Sequence, residues 1–144
     1  MSDGGFHPDE LGFSWYPTSN AAAGRVESFK AAVAGVRTRF GKPVFIAELA
    51  YAAGPMEGTY ATWVNPLPSY PISADGQAAF LRDLASFSVA SGISGIRYWA
   101  PEVIIPGWAG FSIFVATSAT TATARPSIDS IIKGITTPNE AALK

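Results

Sequence analysis

Cysteine is absent from this sequence of 144 residues, and histidine occurs once, at His7. The lack of cysteine excludes disulfide scaffolds, thiolate zinc sites and cysteine nucleophiles, and a single histidine excludes a histidine-rich metal site. Long apolar runs are also missing, since none approaches the roughly 18 residues of a membrane span. We therefore expect no metal, no cofactor and no membrane partner for this chain.

Charge is scarce too, because only 15% of the residues are charged, 10 basic and 11 acidic, for a net charge of -1. No basic block interleaves with aromatic residues, which argues against a nucleic-acid partner. Apolar residues make up 48%, which is typical of a folded protein, and the length suggests one domain. The first residues are polar and lack the apolar centre of a signal peptide, so the compartment stays unknown. We expect a leader or disordered segment over 1–10, one domain over 11–135 and a flexible tail over 136–144.

The sequence does contain short apolar runs that alternate with amphipathic ones. The apolar runs predict strands over 11–16, from residue 44 and over 93–99. Apolar residues spaced by three or four positions predict three helices. The first ends at Gly41 and the third lies around 128–135, while the second follows the N-cap Ser73. The apolar face of the first helix is expected to consist of Val26, Phe29, Val33, Val36 and Phe40, and that of the second of Phe80, Leu81, Leu84 and Phe87. This order, strand and helix three times over, predicts an α/β fold of about three βα units with parallel strands. The long aromatic-rich segments follow strands, and this is the side on which α/β proteins bind ligands.

One carboxylate stands where the middle strand is expected to end. Residues 44–47 form a continuous apolar run, typical of a strand buried on both faces, and Glu48 follows it directly. Carboxylates are rarely buried without a partner, and those at the C-terminal ends of barrel strands are commonly catalytic. Position alone leaves two interpretations open, a catalytic group or a strand-end glutamate paired with an arginine. Arg97, inside the third strand, is a candidate for that pair, or it extends its charge to solvent at an edge.

Aromatic residues cluster at the predicted strand ends. The cluster consists of Trp15, Tyr16, Tyr51, Tyr98 and Trp99. Sugar faces stack on aromatic rings, and binding pockets pair such rings with a few polar groups, so these five residues are candidate substrate contacts. Core packing is the alternative for each of them.

Four segments together resemble glycoside hydrolase family 53, the arabinogalactan endo-β-1,4-galactanases. The segment 11–17 resembles the sixth strand of these (β/α)8 barrels, and 41–51 resembles the seventh, with its Gly-Lys-Pro-Val and Glu-x-Ala-Tyr patterns. Residues 76–83 are similar to the following helix, and 96–101 to the eighth strand. Two positions depart from the family pattern: Leu49 stands where the family has Thr, and Ala100 where it has Glu. The family is typically secreted.

The resemblance implies a retaining glycosidase in which Glu48 is the nucleophile and β-linked galactan the substrate. In such enzymes a second carboxylate about 5 Å away protonates the leaving oxygen. In the family that acid lies on the fourth strand in an Asn-Glu pair, and the one Asn-Glu here, Asn139-Glu140, falls in the expected tail. Glu102, after the third strand, is a candidate surrogate acid or a solvated loop residue.

A barrel also needs eight strands, and three leave open edges and apolar surface. We therefore expect a partial barrel completed by self-association, as a homo-oligomer.

Two other functions stay open. The chain is a non-catalytic carbohydrate-binding or structural partial barrel if the aromatic surface is kept without turnover. An esterase is the third hypothesis, which needs a serine nucleophile near His7. It is disfavoured because Gly12-Phe-Ser-Trp-Tyr16 and Gly110-Phe-Ser-Ile-Phe114 both lack the second glycine of a Gly-x-Ser-x-Gly elbow.

Overall fold

A computed structural model describes residue 5, residues 7–19 and residues 26–144 of the chain. The strands are β1 (Leu11–Trp15), β2 (Val44–Leu49), β3 (Ile96–Tyr98), β4 (Phe114–Ala116) and β5 (Ala122–Ala124). The helices are α1 (Val26–Phe40), α2 (Ala74–Ala90) and α3 (Ser127–Thr136), with a 3₁₀ turn at Gly58–Tyr60. Residues 1–4 and 6 of the expected leader lie outside the described residues.

The main sheet has the order β1-β2-β3, and both pairings are parallel. Each of these strands is followed by a helix, which confirms the predicted α/β fold of three βα units. β4 and β5 form a separate antiparallel hairpin, which the sequence pattern did not predict. Their strands have three residues each and are mostly exposed, so they carry no hydrophobic alternation that would have predicted them.

The helices cover one face of the sheet, where the main core lies. From α1, Val26, Phe29 and Val33 are buried there, as the spacing predicted. Phe40 differs from that prediction, because as the last residue of α1 it is 38% exposed and lies against the Arg39 guanidinium, 5.3 Å from the ring centre. Gly41 follows with a φ of +60°, the left-handed conformation expected of a residue that ends a helix.

α2 is the most buried helix of the described chain. Its N-cap is Ser73, whose hydroxyl oxygen accepts a hydrogen bond from the Gly76 backbone N–H at 3.0 Å, as predicted. The expected core positions of α2 are all buried, namely Phe80, Leu81, Leu84 and Phe87.

α3 packs on α2, and a glycine permits the close approach. A Cβ atom added to Gly134 would lie 2.1 Å from the Arg82 carbonyl oxygen. The predicted apolar face of α3 is only partly covered, since Ile132 and Ile135 are 57% and 51% exposed. The tail also differs from expectation, because Leu143 is 1% exposed and packs in the main core.

The other side of the sheet, which we call the inner face, is turned away from the helices. It consists of Gly12, Ser14, Phe45, Ala47, Glu48 and Arg97, which are half-buried or exposed. Residues paired across neighbouring strands share a face, and Gly12 pairs with Phe45. Arg97 belongs to the same face because its guanidinium lies 4.7 Å from the centre of the Phe45 ring. In residue 5, 7–19 and 26–144, no helix is both long and apolar enough to cross a membrane.

The contact at Gly134 makes a stability prediction. Gly134→Ala forces α3 away from α2, and overpacking of this kind costs about 1–3 kcal/mol in the free energy of unfolding. Gly35→Ala is the matched control inside α1, where an added Cβ has no neighbour within 4 Å. It should stabilise by about 0.5–1 kcal/mol because alanine is the better helix former. Urea unfolding measures both, and equal effects of the two changes would contradict the close packing.

Candidate functional site

Glu48 lies at the C-terminal end of β2, on the inner face. Its side chain is half-buried, and it pairs in register with Ser14 of β1. The Tyr16 hydroxyl, just beyond the end of β1, donates a hydrogen bond to Glu48 Oε2 at 3.0 Å. The adjacent ends of two parallel strands therefore bring the candidate nucleophile and one candidate sugar contact together.

A one-residue bulge in β2 directs Glu48 to this face. Phe13 pairs with Ile46, but the next residue, Ser14, pairs with Glu48, so β2 holds one residue more than β1. The same excess exists against β3, where Ile46 pairs with Ile96 and Leu49 with Tyr98. In a regular strand Ala47 and Leu49 would share the inner face and Glu48 would point at the helices. The bulge restores Leu49 to the core and places Glu48 on the inner face instead.

Tyr16 holds the carboxylate in place. Burial raises the pKa of Tyr16 far above its ordinary value, and the hydrogen bond to Glu48 and that residue's charge raise this pKa further. The hydroxyl is thus a protonated donor at any ordinary pH. Its ring also contacts Trp63 from the loop after β2, with ring centres 5.5 Å apart.

Arg97 does not pair with Glu48, in contrast to one of the two predicted roles for the arginine. Within the described chain the salt bridges join Lys30 to Glu27 and Arg82 to Asp83. Arg97 is exposed, and its guanidinium stacks over Phe45 rather than reaching toward the end of the strand. The partner of Glu48 is Tyr16, which the sequence analysis had assigned to the substrate.

Two of the five candidate aromatic residues are enclosed in the core. Trp15 is 6% exposed and stacks on Phe29 with ring centres 3.9 Å apart. Tyr51 is fully buried, stacks on Phe80, and donates its hydroxyl hydrogen to the Tyr70 carbonyl. Neither ring offers a face to a sugar, so the packing alternative describes them.

The Tyr98 hydroxyl is the centre of a polar network below the site. It donates to the Phe111 carbonyl at 2.7 Å and accepts from the Tyr51 backbone N–H at 3.1 Å. Gln77, fully buried on α2, donates its amide to the Tyr51 carbonyl at 2.8 Å and lies 3.2 Å from the Tyr98 hydroxyl. The amide oxygen of Gln77 accepts from the Ser127 hydroxyl at 2.6 Å. These bonds tie β3, α2, α3 and the loops after β2 and β3 together.

Trp99 is the candidate aromatic residue that stays open. It is 49% exposed and lines a cleft of about 380 Å³ at the end of β3. Tyr60, Trp108 and Glu57 also line this cleft. These three residues were not among the candidates from the sequence, although Tyr60 and Trp108 are aromatic residues in loops that follow strands. Tyr60 contacts Trp63, which contacts Tyr16, so aromatic rings connect the cleft with the Glu48 site.

The remaining candidates take no part in this arrangement. Glu102 is exposed in the turn after β3, and no described side-chain hydrogen bond or salt bridge links it to Glu48. His7 is exposed, and none of the described hydrogen bonds joins it to a serine. Over the described ranges no group of three or more His, Cys, Asp or Glu residues could hold a metal ion.

Comparisons with known proteins match most of this chain to one family. The sequence profile of glycosyl hydrolase family 53 matches residues 1–131. Arabinogalactan endo-beta-1,4-galactanase A of Emericella nidulans is 36% identical over 100 residues, which are 69% of this chain and 27% of that protein. An uncharacterized protein in the bgaB 5′ region of Niallia circulans is 30% identical over 104 residues, 67% of this chain and 28% of that protein. The chain thus spans little more than a quarter of the length of these relatives.

The fold is similar to that of fungal beta-1,4-galactanases. A solved structure described in those words superimposes with a TM-score of 0.67 at 24% identity, and the match covers 92% of this chain and 41% of the other. The predicted partial (β/α)8 barrel is thereby confirmed.

The bulge in β2 predicts that a deletion at this point is tolerated. Without Ala47, Glu48 follows Ile46 directly and pairs with Ser14 in a regular register, so Glu48 stays on the inner face and Leu49 stays in the core. We therefore expect the Ala47 deletion variant to fold and to lose no more than about 2 kcal/mol of stability. Deletion of Phe45 is the matched control, because it removes a residue that pairs with Gly12 and moves Val44 out of the helix-side core. A Phe45 deletion variant as stable in urea as the Ala47 deletion variant would contradict the role of the bulge.

The tyrosines predict loss of stability at alkaline pH. Burial raises the pKa of both Tyr51 and Tyr70 to about 12, and it raises the pKa of Tyr16 and Tyr98 as well. The unfolded chain releases these protons near pH 10 and the folded chain does not, so their contribution is full below pH 10 and falls as the pH rises toward 12. By pH 11 the loss should be about 1 kcal/mol for each of Tyr51 and Tyr70. Urea unfolding at pH 9, 10 and 11, together with tyrosinate absorbance, tests this, and a constant midpoint would refute it.

Proposed function

The chain belongs to glycosyl hydrolase family 53, and from this membership we propose that it carries the nucleophile side of a retaining galactanase site. Glu48 is the proposed nucleophile, and β-linked galactan is the proposed substrate. The observation that carries the proposal is the bulge, which brings Glu48 out of the core and onto the inner face beside Tyr16.

The proposed chemistry uses the carboxylate directly. A Glu48 oxygen forms a bond to the anomeric carbon while the bond from that carbon to the glycosidic oxygen breaks, and an acid gives the leaving oxygen its proton. Water then attacks the anomeric carbon, gives a proton to the conjugate base of that acid, and releases Glu48. Tyr16 contributes by holding Oε2 at 3.0 Å, which fixes the direction of the carboxylate before the sugar arrives.

Trp99 and the cleft beside it are the proposed sugar contacts. A half-exposed indole offers the apolar face on which a sugar ring stacks, and Tyr60 and Trp108 extend that surface. Glu57 at the rim provides a carboxylate that accepts hydrogen bonds from sugar hydroxyls. Tyr16 contacts the sugar only through the carboxylate that it orients.

The proton donor is the missing part. Glu102 remains the candidate surrogate acid, yet it is exposed and has no described contact with the site. We therefore propose that this chain alone turns over galactan slowly or not at all. We also propose that it associates with copies of itself, because the inner face and the outer edges of β1 and β3 have no partner strand among the described residues.

A substrate that needs no acid separates the nucleophile from the missing donor. 2,4-Dinitrophenyl β-galactoside has a leaving group that departs without protonation, so we expect a burst of about one dinitrophenolate per chain and little or no cleavage of galactan. Turnover after the burst should be slow, because the missing donor is also the base that takes the proton from water in the second step. Glu48→Gln should abolish this release, since an amide cannot attack the anomeric carbon, while the free energy of unfolding measured in urea stays within about 1 kcal/mol of wild type. Glu102→Gln is the matched control and should keep the aryl activity.

A covalent probe gives a second measurement. A 2-deoxy-2-fluoro-β-galactoside with the same leaving group should add one fluorogalactosyl unit to the peptide that contains Glu48, as read by mass spectrometry. If the variant with Gln at position 48 matches wild-type turnover, or the label falls on another residue, the nucleophile assignment is wrong.

A non-catalytic carbohydrate-binding function is the second candidate, because the aromatic cleft is formed independently of Glu48. It predicts that galactotetraose binds wild type and the Glu48→Gln variant equally, that Trp99→Ala removes binding, and that no aryl galactoside is cleaved. Calorimetric titration beside the turnover assay distinguishes the two functions.

A further inference from the structure

Tyr16 donates its hydrogen bond to Glu48 from a position beyond the sheet. The pairing of β1 with β2 ends at Trp15 and Leu49, so Tyr16 lies outside the paired ladder. A turn follows directly, in which the backbone N–H and the hydroxyl of Ser19 both donate to the Tyr16 carbonyl, at 3.0 and 2.8 Å. These bonds hold the backbone of Tyr16 but not its side-chain torsions. The direction of the ring therefore depends on what packs against it.

Trp63 is the aromatic residue that packs against the Tyr16 ring. It lies in the long loop after β2, and the two ring centres are 5.5 Å apart with their planes inclined by 55°. Aromatic pairs favour tilted arrangements at such separations. The Tyr16 side chain is thus held at its tip by Glu48 Oε2, 3.0 Å from the hydroxyl, and along its ring by the indole. The hydrogen bond alone would leave the ring free to pivot about its tip.

Two further rings hold Trp63 in its place. Tyr60 meets the indole edge to face, with ring centres 5.0 Å apart and planes at 79°. Phe111, which is fully buried, meets it at 6.1 Å and 71°. Tyr60 belongs to the loop after β2 and Phe111 to the loop after β3, so the indole is packed between both loops.

A backbone tether keeps the turn with Trp63 beside Tyr16. The Asn65 backbone N–H donates to the Thr18 carbonyl at 3.1 Å, and the Asn65 side-chain amide donates to the Thr62 carbonyl at 3.0 Å. Thr18 is fully buried, two residues after Tyr16. The turn that carries Trp63 is therefore fastened to the segment that carries Tyr16, which holds the two rings in contact.

From these contacts we infer that Trp63 is a positioning residue, which fixes the direction of the Glu48 carboxylate by holding Tyr16. The inference rests on the proposed function, since it concerns the nucleophile of that reaction. Burial raises the pKa of Tyr16, and the hydrogen bond and charge of Glu48, together with Tyr60 and Tyr98, raise it further. Because the indole contributes to that burial, its loss should lower the Tyr16 pKa. This provides a measurement that needs no turnover.

The burst of dinitrophenolate measures the attack of Glu48 on the sugar. Trp63→Ala and Tyr16→Phe should each lower the rate constant of the burst about tenfold or more, because a misdirected nucleophile reacts slowly even with bound substrate. The double variant should be no more than about threefold slower than Tyr16→Phe alone, since the effects of residues that act through one another do not add. Trp63→Phe keeps a ring at this position and should recover most of the rate.

Thr62→Ala is the matched control in the same turn. The Thr62 side chain is exposed, and the described hydrogen bond of this residue uses its backbone carbonyl, so the change should leave the burst unaltered. Trp63→Leu removes the indole but keeps an apolar side chain, and it replaces the alanine variant if that variant does not fold by circular dichroism.

Tyrosine labelled with ¹³C at the ζ carbon tests the same contact without substrate. The Tyr16 signal is the one missing from Tyr16→Phe, and we expect it to show a protonated hydroxyl at about pH 11 in folded wild type and measurable ionisation there in Trp63→Ala. If wild type gives no burst but this ionisation responds to Trp63→Ala, the nucleophile assignment is wrong and the contact stands. A double variant whose rate falls by the product of the two single effects, or a Tyr16 titration unchanged by loss of the indole, would overturn the inference.

Discussion

One extra residue in β2 governs both the core and the site. A strand alternates its side chains between two faces, so the odd or even count of residues decides which face each side chain meets. Because Ala47 is bulged out of the pairing, Val44, Ile46 and Leu49 all reach the helix-side core, where none is exposed. The same bulge brings Glu48 to the inner face, within 3.0 Å of the Tyr16 hydroxyl. Core packing and the position of the carboxylate are thus two results of a single irregularity, and neither can change without the other.

Buried polar groups hold the long loops in place at the ends of the strands. Gln77 and Tyr98 satisfy backbone carbonyls of residues 51 and 111, which lie in the long loops after β2 and β3. Such groups are costly to bury unless they are paired, so the loss of one of these bonds leaves a buried polar group unsatisfied. A tyrosine that looks like a sugar contact from its place in the sequence is here a structural centre. The open aromatic surface lies one residue further on, at Trp99, which directly follows the last residue of β3 and is 49% exposed.

Elements with a regular pattern of apolar residues were predicted correctly from the sequence. The order of elements follows from periodicity, and the N-cap at Ser73 and the left-handed Gly41 follow from local backbone chemistry. The bulge did not follow, because an apolar run such as 44–47 reads the same with or without an extra residue. The sorting of the five aromatic residues also did not follow, since burial depends on which neighbouring element covers a ring. Leu143 was expected in a flexible tail for the same reason, as a lone leucine shows no period, and its burial depends on a core built mostly from distant residues.

Some parts of a barrel site are positioned by neighbouring strands alone, and others need the closed barrel. The direction of Glu48 is set by β2 and its two neighbours, and its hydrogen bond comes from the end of β1, so three strands suffice to place it. In the proposed mechanism the proton donor stands about 5 Å away across the barrel, beyond the reach of the three described strands. The described residues therefore hold the part of the proposed site that depends on neighbouring strands. The inner face carries Arg97 stacked on Phe45, on the side that a closed barrel would enclose.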